Sequence, residues 1–161
     1  MATRIERLYE KDFSAWTRHQ ARALRRLAAT RPNADLDLEH LIDEVRDLGK
    51  SERDAARSQL RTIIEHCLKL EHSRAHDPRA GWIVSITHAR VALEDKLSRS
   101  LRRDLTANLA RIYDQARRQA AVALQAHAED DVAAALPAPC PYRLFDLLAR
   151  DWLPVSRADA S

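Results

Sequence analysis

The chain has 161 residues, 27 basic and 24 acidic side chains, a formal net charge of +3 and only two glycines. Two glycines leave no room for a phosphate-cradling loop, a dinucleotide-binding fingerprint or a nucleophile elbow. The length suits one domain, and the abundance of Ala, Leu and Arg favours helices over strands. Composition therefore predicts an all-α protein and lowers the expectation of the common signature-bearing enzymes.

The first predicted helix begins after Asp12, which can cap it. Apolar spacing of three and four residues predicts a core-facing stripe. Its members are Phe13, Trp16, Gln20, Leu24 and Leu27. The opposite side is predicted to carry four arginines, which are Arg18, Arg22, Arg25 and Arg26. The segment RPNAD at 31–35 predicts a turn.

The second helix is predicted to run unbroken from about Asp37 to about His72, because the apolar residues before and after Gly49 share one stripe at about 100° per residue. Before the glycine these are Leu38, Leu41, Ile42, Val45 and Leu48; after it they are Ala56, Leu60, Ile63, Ile64, Cys67 and Leu70. The alternative is a break, with Ser51 capping a new helix. In the unbroken helix, Gly49 and Glu52 lie near the centre of the stripe.

A third helix is predicted from about Arg79 to Ser98, and a fourth is capped by Ser100. The apolar stripe of the fourth helix contains Leu101, Leu105, Ile112, Ala116 and Ala123. EDDVAAALPAPCPY, with three prolines in residues 137–141, predicts a linker or short turn. A short helix at Arg143–Arg150 follows. The predicted architecture is a single helical domain over 1–154, a bundle built around the long second helix, and a disordered tail over 155–161.

Five segments resemble one known family in the same order. They are YEKDFSAW, LDLEHLIDEVRDLGKSERDAARSQLRTIIEHCLKL, GWIVSI, IYDQARRQAA and CPYRLFDLLARDWLP, and together they span Tyr9 to Pro154. The pattern is similar to the bacterial domain of unknown function family twenty-nine. This resemblance implies a compact all-α domain and no particular reaction. Leu70 and Arg99 depart from the family pattern, which has tryptophan and proline there.

Glu52 is the polar residue that the second helix explains least well. A core-facing carboxylate needs a partner or keeps its proton. The structural interpretation is an ion pair or hydrogen bond, with Arg90 as the candidate partner. The functional interpretation is an acid or base acting with His66, with or without a metal ion.

Three histidines near the end of the second helix are candidate metal ligands, namely His66, His72 and His76. Helical bundles hold zinc or iron with His and carboxylates from facing helices. The spacing here matches no established motif, and histidines near a helix C-terminus also complement the helix dipole. No cofactor is therefore predicted. Cys67 and Cys140 are expected to be free thiols rather than catalytic groups.

The arginine face of the first helix suits an anionic partner, because no acidic residue lies between Asp12 and Asp35. Nucleic acid binding needs such a basic surface, and a membrane surface would also bind a basic helix. The arginine face is equally explained as a solvated surface that has no partner. The sequence predicts no transmembrane segment. We expect a small cytoplasmic interaction or regulatory module that binds a protein or a second copy of itself; the alternatives are an enzyme using Glu52 and His66, and weak nucleic-acid binding.

Overall fold

The computed structural model describes residues 3–30 and 35–157, and in these ranges it contains seven α-helices and no strand. The helices are α1 (Arg4–Lys11), α2 (Phe13–Thr30), α3 (Leu38–His72), α4 (Arg79–Glu94), α5 (Arg99–Ala126), α6 (Asp130–Ala135) and α7 (Leu144–Leu148). The all-α prediction is confirmed. The predicted turn at 31–35 lies outside the described residues except for position 35, as do the last four residues of the predicted tail.

Two compact units make up the chain. The N-terminal unit comprises residues 1–56 with 97–104, and the C-terminal unit comprises residues 57–96 with 105–161. Helices α3 and α5 each contribute residues to both units. The single domain expected over 1–154 stays a prediction.

The long helix α3 is unbroken over 35 residues. It starts at Leu38 and ends at His72, which confirms the prediction of one continuous element. The alternative, a break with Ser51 as a new cap, is wrong. Because one helix precedes α2, the long helix is the third in chain order rather than the second.

Several predicted boundaries need correction. Helix α1 was not predicted at all, although Thr3 and Glu6 form a reciprocal capping box at its start. Helix α4 ends at Glu94 rather than at Ser98. The α5 cap is Ser98, whose Oγ accepts a hydrogen bond from the Leu101 N–H, rather than Ser100. The predicted linker before the prolines contains the short helix α6.

The C-terminal unit encloses the last turns of α3 on every side. Five consecutive residues, Cys67 to Glu71, are buried, whereas an amphipathic surface helix buries only one stripe. The fully buried apolar side chains of this unit include Leu60, Ile63, Ile64, Leu68, Ile86, Leu105, Ile112, Leu124 and Leu147. Two charged residues, Lys69 and Glu71, are carried into this interior by their places in the helix.

The end of α5 brings a carboxylate into the same unit. Ala128 adopts a left-handed conformation with φ 59°, and the Glu129 N–H donates to the Leu124 carbonyl at 3.0 Å, as in a Schellman motif. The buried Glu129 side chain then accepts hydrogen bonds from Ser73 Oγ at 2.7 Å and from the Arg74 N–H at 2.6 Å. This carboxylate fixes the chain where it leaves α3.

Candidate interaction surface and buried polar cluster

Helices α2 and α3 pack closely through small residues. Gly49 is buried, and a Cβ built there would overlap Thr17 Oγ1 and lie 3.1 Å from Thr17 Cβ. Arg53 Nη1 donates to Ser14 Oγ at 3.3 Å. Since residues 14 and 17 meet residues 53 and 49, the two helices run antiparallel and form a helical hairpin.

The buried side of α2 is not the apolar stripe that its spacing predicts. Ser14, Thr17 and Ala21 are buried in the hairpin contact, whereas Phe13, Trp16, Gln20, Leu24 and Leu27 are only half-buried. At about 100° per residue, the apolar stripe is turned by about 90° from the contact side. The prediction that this stripe faces the core is therefore wrong, and close helix approach at Gly49 is the physical reason.

The first half of α3 departs only in part from its predicted core stripe, because Leu38 and Ile42 are buried as predicted. Leu41 and Leu48, which were expected in the core, are 40% and 51% exposed, and Val45 is half-buried. They lie to one side of Gly49, in the same rotational sense as the displaced stripe of α2. On each helix, the leucines are turned from the α2–α3 contact in the same rotational sense. Because the two helices are antiparallel, the leucines of both helices therefore lie on the same side of the hairpin. We call this side the apolar hairpin face: Leu24, Leu27, Leu41, Val45 and Leu48.

Helix α1 covers the neighbouring end of α2 with an aromatic cluster. The ring centroid of Tyr9 lies 5.6 Å from that of Phe13 and 4.9 Å from that of Trp16. The rings of Phe13 and Trp16 stack with their centroids 5.5 Å apart. Edge-to-face and offset-stacked rings at such distances are favourable. The cluster occupies the first turns of α2 and leaves the later leucines of the apolar hairpin face without an aromatic cover in this unit.

The arginine face is confirmed as exposed and lies on the other side of the α2 contact. All four predicted members, Arg18, Arg22, Arg25 and Arg26, are exposed. Of their four guanidinium groups, only that of Arg18 forms a hydrogen bond within the described N-terminal unit, from Nη2 to Ser100 Oγ at 2.7 Å.

Asp12 joins the start of α2 to the start of α5. Its carboxylate accepts the N–H groups of Ala15 at 2.9 Å and Ser100 at 3.0 Å. Burial raises the pKa of Asp12, but these hydrogen bonds outweigh burial and hold the pKa below its usual value. Asp12 therefore caps α2 as predicted, and it also fixes the position of Ser100 beside Arg18.

In the C-terminal unit, Glu71 is the centre of a buried polar cluster. Its carboxylate is 8% exposed and accepts hydrogen bonds from Tyr142 Oη at 2.7 Å and from Arg157 Nε at 2.6 Å. The Glu71 carbonyl also accepts the Arg157 N–H at 2.8 Å. Trp152 packs edge-on against Tyr142, with centroids 5.9 Å apart. The cluster ties the C-terminal segment, including residue 157 of the predicted tail, to the end of α3.

The chemistry of this cluster is that of a structural group. Burial, reinforced by the hydrogen bond to Glu71, raises the pKa of Tyr142. Burial also raises the pKa of Tyr113 to about 12 and that of Cys67 to about 12. Phenols and thiols with raised pKa values stay protonated near neutrality and are poor nucleophiles.

Arg90 anchors the short helix α7. It is buried, and it donates from Nε to the Leu147 carbonyl at 2.9 Å and from Nη1 to the Arg150 carbonyl at 3.1 Å. A guanidinium at a helix C-terminus satisfies carbonyls that lack intrahelical partners. Its predicted pairing with Glu52, a half-buried residue of the other unit, stays a prediction.

The predicted catalytic pair gains no support from the geometry of α3. Glu52 and His66 are fourteen positions apart in one helix, or about four turns. His66 is half-buried, and its pKa is lowered by burial and by nearby Lys69. Two shallow grooves of the C-terminal unit have volumes of about 440 and 690 Å³. Neither lining includes Glu52 or His66.

The three candidate metal ligands have different surroundings. His72 Nε2 lies 3.8 Å from a Glu71 carboxylate oxygen, and His76 lines the larger groove together with Asp77 and His127. Within residues 3–30 and 35–157, no three His, Cys, Asp or Glu side chains are grouped so that they could hold a metal ion. The described structure thus does not bring His66, His72 and His76 together as a metal site.

Stability should depend on pH through His66 and His72. Burial lowers the pKa of both below the ordinary value of 6.5, so below that pH the unfolded chain binds protons first. We expect the free energy of unfolding to fall as pH falls below about 6.5, and the double variant His66→Gln/His72→Gln to flatten this slope. The exposed His40–Asp37 pair acts in the opposite sense, because Asp37 raises the pKa of His40.

Urea denaturation at a series of pH values between about 5 and 8 measures this slope. His88→Gln, at an exposed position of α4, is the control with the same change of residue type. Equal slopes for the double variant and the unsubstituted chain would show that these two histidines do not couple folding to protons.

A family model described as "Domain of unknown function DUF29" matches residues 8–153, nearly the whole chain. The chain belongs to the DUF29 family. A similar solved structure is the crystal structure of an alpha-helical protein of unknown function from Rhodospirillum rubrum. This DUF29 chain is 27% identical to it with a TM-score of 0.77, over 94% of this chain and 93% of that one. A search of curated proteins found no significant match.

Sequence reasoning missed the residues that organise both regions of this DUF29 chain. Glu71, Tyr142 and Arg157 are far apart in sequence, and no local pattern signals that they meet. Thr17 is a small polar residue beside an apolar stripe, and only its pairing with Gly49 reveals the contact side.

Within the described residues, no helix is both long and apolar enough to cross a membrane.

Proposed function

We propose that this DUF29 chain is a non-enzymatic interaction module that binds another protein through the apolar hairpin face. The observation that carries the proposal is the exposure of Leu41 and Leu48 on the side of α3 where the half-buried leucines of α2 also lie. Single exposed apolar residues are ordinary, whereas a contiguous apolar surface marks a binding site. The proposal places the module in a bacterial cytoplasm, which suits the free thiols of Cys67 and Cys140.

The structural cause of this surface supports an interaction role. A hairpin that used its leucines for its own contact would bury them and expose small residues. Here Gly49 and Thr17 form the contact instead, so the leucines are left for another surface. Because these leucines are half-buried or about half exposed, the hairpin gives up part of the roughly 1.5–3 kcal/mol that full burial of each leucine would contribute. Binding a partner would recover that free energy.

Site-specific photo-crosslinking in the native host tests the proposal. A crosslinking amino acid at Leu48 is expected to form a covalent protein adduct. The matched control is Val122, an apolar residue of α5 that is 66% exposed. A yield at position 48 that is no higher than at position 122 would contradict an interaction role for the apolar hairpin face.

Weak nucleic-acid binding is a second candidate because Arg22, Arg25 and Arg26 are exposed on a helix without acidic residues. Binding through phosphate contacts releases counterions, so it must weaken steeply with salt. A triple substitution of these arginines by glutamine should abolish any duplex DNA binding seen at low salt. Binding that persists in this variant would locate the contact elsewhere.

A further inference from the structure

We propose that residues 151–157, which follow α7 and which Arg157 ties to Glu71 at the end of α3, form a latch that a proton on His72 releases. Protonated His72 takes over the Glu71 carboxylate, and the Arg157 side chain leaves it. We call these residues the C-terminal latch. The proposal concerns the C-terminal unit alone and does not depend on the apolar hairpin face.

One oxygen of the Glu71 carboxylate lies beside both competing side chains. Glu71 Oε1 accepts the hydrogen bond from Arg157 Nε at 2.6 Å, and His72 Nε2 lies 3.8 Å from the same oxygen. The second oxygen, Oε2, accepts the Tyr142 hydroxyl at 2.7 Å. A separation of 3.8 Å is too long for a hydrogen bond, so in this arrangement Arg157 holds Oε1 and His72 does not.

The His72 ring has an unused hydrogen-bonding position next to this carboxylate. Its Nε2 is shielded from water and has no hydrogen-bond partner among the described residues, whereas most buried polar atoms have one. A proton turns a histidine into a donor at both ring nitrogens. A charge-assisted hydrogen bond from Nε2 to Glu71 would then satisfy the buried nitrogen.

The charges around His72 make the docked latch unfavourable to a second cation. Burial lowers the pKa of His72 most, Glu71 raises it, and Arg157 lowers it further. Tyr142, the other ionisable group of the cluster, keeps its proton because burial raises its pKa. With neutral His72, one anion and one cation balance each other. With protonated His72, two cations share one buried carboxylate.

Arg157 is the cation that can leave. Its side chain is 70% exposed, whereas the His72 side chain is 16% exposed and fixed on the last turn of α3. Water readily solvates an exposed guanidinium that loses its partner. The Arg157 N–H still donates to the Glu71 carbonyl at 2.8 Å, but such a neutral hydrogen bond is about half as strong as a charge-assisted one. The latch therefore opens more often.

Hydrogen exchange of the Arg157 amide, followed by NMR, tests the latch. This N–H is protected while it is bonded to the Glu71 carbonyl, so its exchange rate relative to an unprotected amide reports opening. Opening raises the low pKa of His72 and thus binds a proton. We expect opening to increase up to about tenfold from about pH 7.5 to about pH 5.5. The Ser73 amide, bonded to the Lys69 carbonyl at 2.9 Å, should change less, because it reports the end of α3.

Two histidine variants separate the latch from a general sensitivity to acid. His72→Gln cannot take up a proton, so it should remove the pH dependence of opening at the Arg157 amide. His66→Gln is the matched control, because His66 is also a half-buried histidine of α3 whose pKa is lowered by burial. It should keep the full increase. A His72→Gln chain that opens as strongly in acid as the unsubstituted chain would overturn the proposal.

The pKa of His72, measured by NMR titration, tests the competition with Arg157 directly. Arg157→Gln removes the competing cation and should raise this pKa. Arg150→Gln is the control, because Arg150 is an exposed arginine just before the latch that pairs with Glu94. It should leave the pKa of His72 unchanged. A pKa of His72 that is the same in Arg157→Gln as in Arg150→Gln would show that His72 and Arg157 do not compete for Glu71.

Discussion

The variant Glu71→Ala is expected to lower the free energy of unfolding by about 3 kcal/mol, because it leaves the buried Tyr142 hydroxyl without its acceptor and breaks the cluster. Arg157 contributes less, since its side chain is 70% exposed and water can replace its partner. Urea denaturation followed by circular dichroism measures the change. In a chain of this size, the melting temperature should fall by roughly 10 °C.

Glu94→Ala is the matched control for this prediction. Glu94 also pairs with an arginine of the same unit, Arg150, but both side chains are largely exposed. We expect a change of at most about 0.5 kcal/mol there. The double variant Glu71→Ala/Tyr142→Phe should lose less free energy of unfolding than the two single variants lose in total, because it has no Tyr142 hydroxyl left without an acceptor. A Glu71→Ala chain as stable as Glu94→Ala would show that the cluster does not stabilise the fold.

The variant Gly49→Ala is expected to destabilise the chain by up to about 2 kcal/mol, although alanine is the better helix former. The new Cβ would overlap Thr17 Oγ1, and this hydroxyl is held by its hydrogen bond to the Ser14 carbonyl at 3.0 Å. Overpacking costs about 1–3 kcal/mol, against a propensity gain of about 1 kcal/mol. The midpoint of urea denaturation reports the net effect.

Gly81→Ala provides the control for the glycine prediction. Gly81 is also helical, but a Cβ there meets nothing within 4 Å, so the same substitution should stabilise by up to about 1 kcal/mol. Thr17→Gly in the Gly49→Ala background should recover part of the steric cost. Equal stabilisation by alanine at both glycines would refute a close approach of α2 and α3.

Local pattern predicted much of the fold. The shared apolar phase on both sides of Gly49 predicted one helix from Leu38 to His72, since a stripe keeps its direction only if the helix is unbroken. The prolines at 137–141 correctly marked an interruption. Pattern failed at α2, where the predicted core stripe is displaced by about 90°. Periodicity shows that a helix has an apolar side, but it does not show which side meets the neighbouring helix.

The candidate sites were harder to predict than the helices. The exposure of Arg22, Arg25 and Arg26 followed from local charge segregation, so sequence was sufficient. The Glu71 cluster required Tyr142 and Arg157 to return to the end of α3 from about 70 and 86 positions away along the chain. No local rule encodes contacts at such separations. The prediction that pairs Glu52 with Arg90 has the same weakness and stays untested.

By itself, the sequence determined helical content, the unbroken long helix and the basic character of α2, because each depends on residue type and spacing within one segment. Tertiary structure alone decided which sides those helices present. The close contact between Gly49 and Thr17, rather than the larger apolar residues beside it, sets which sides of α2 and α3 meet. The leucines of the hairpin are therefore turned outward. Contacts between distant segments depend on the whole fold, so the apolar hairpin face and the Glu71 cluster became visible only there.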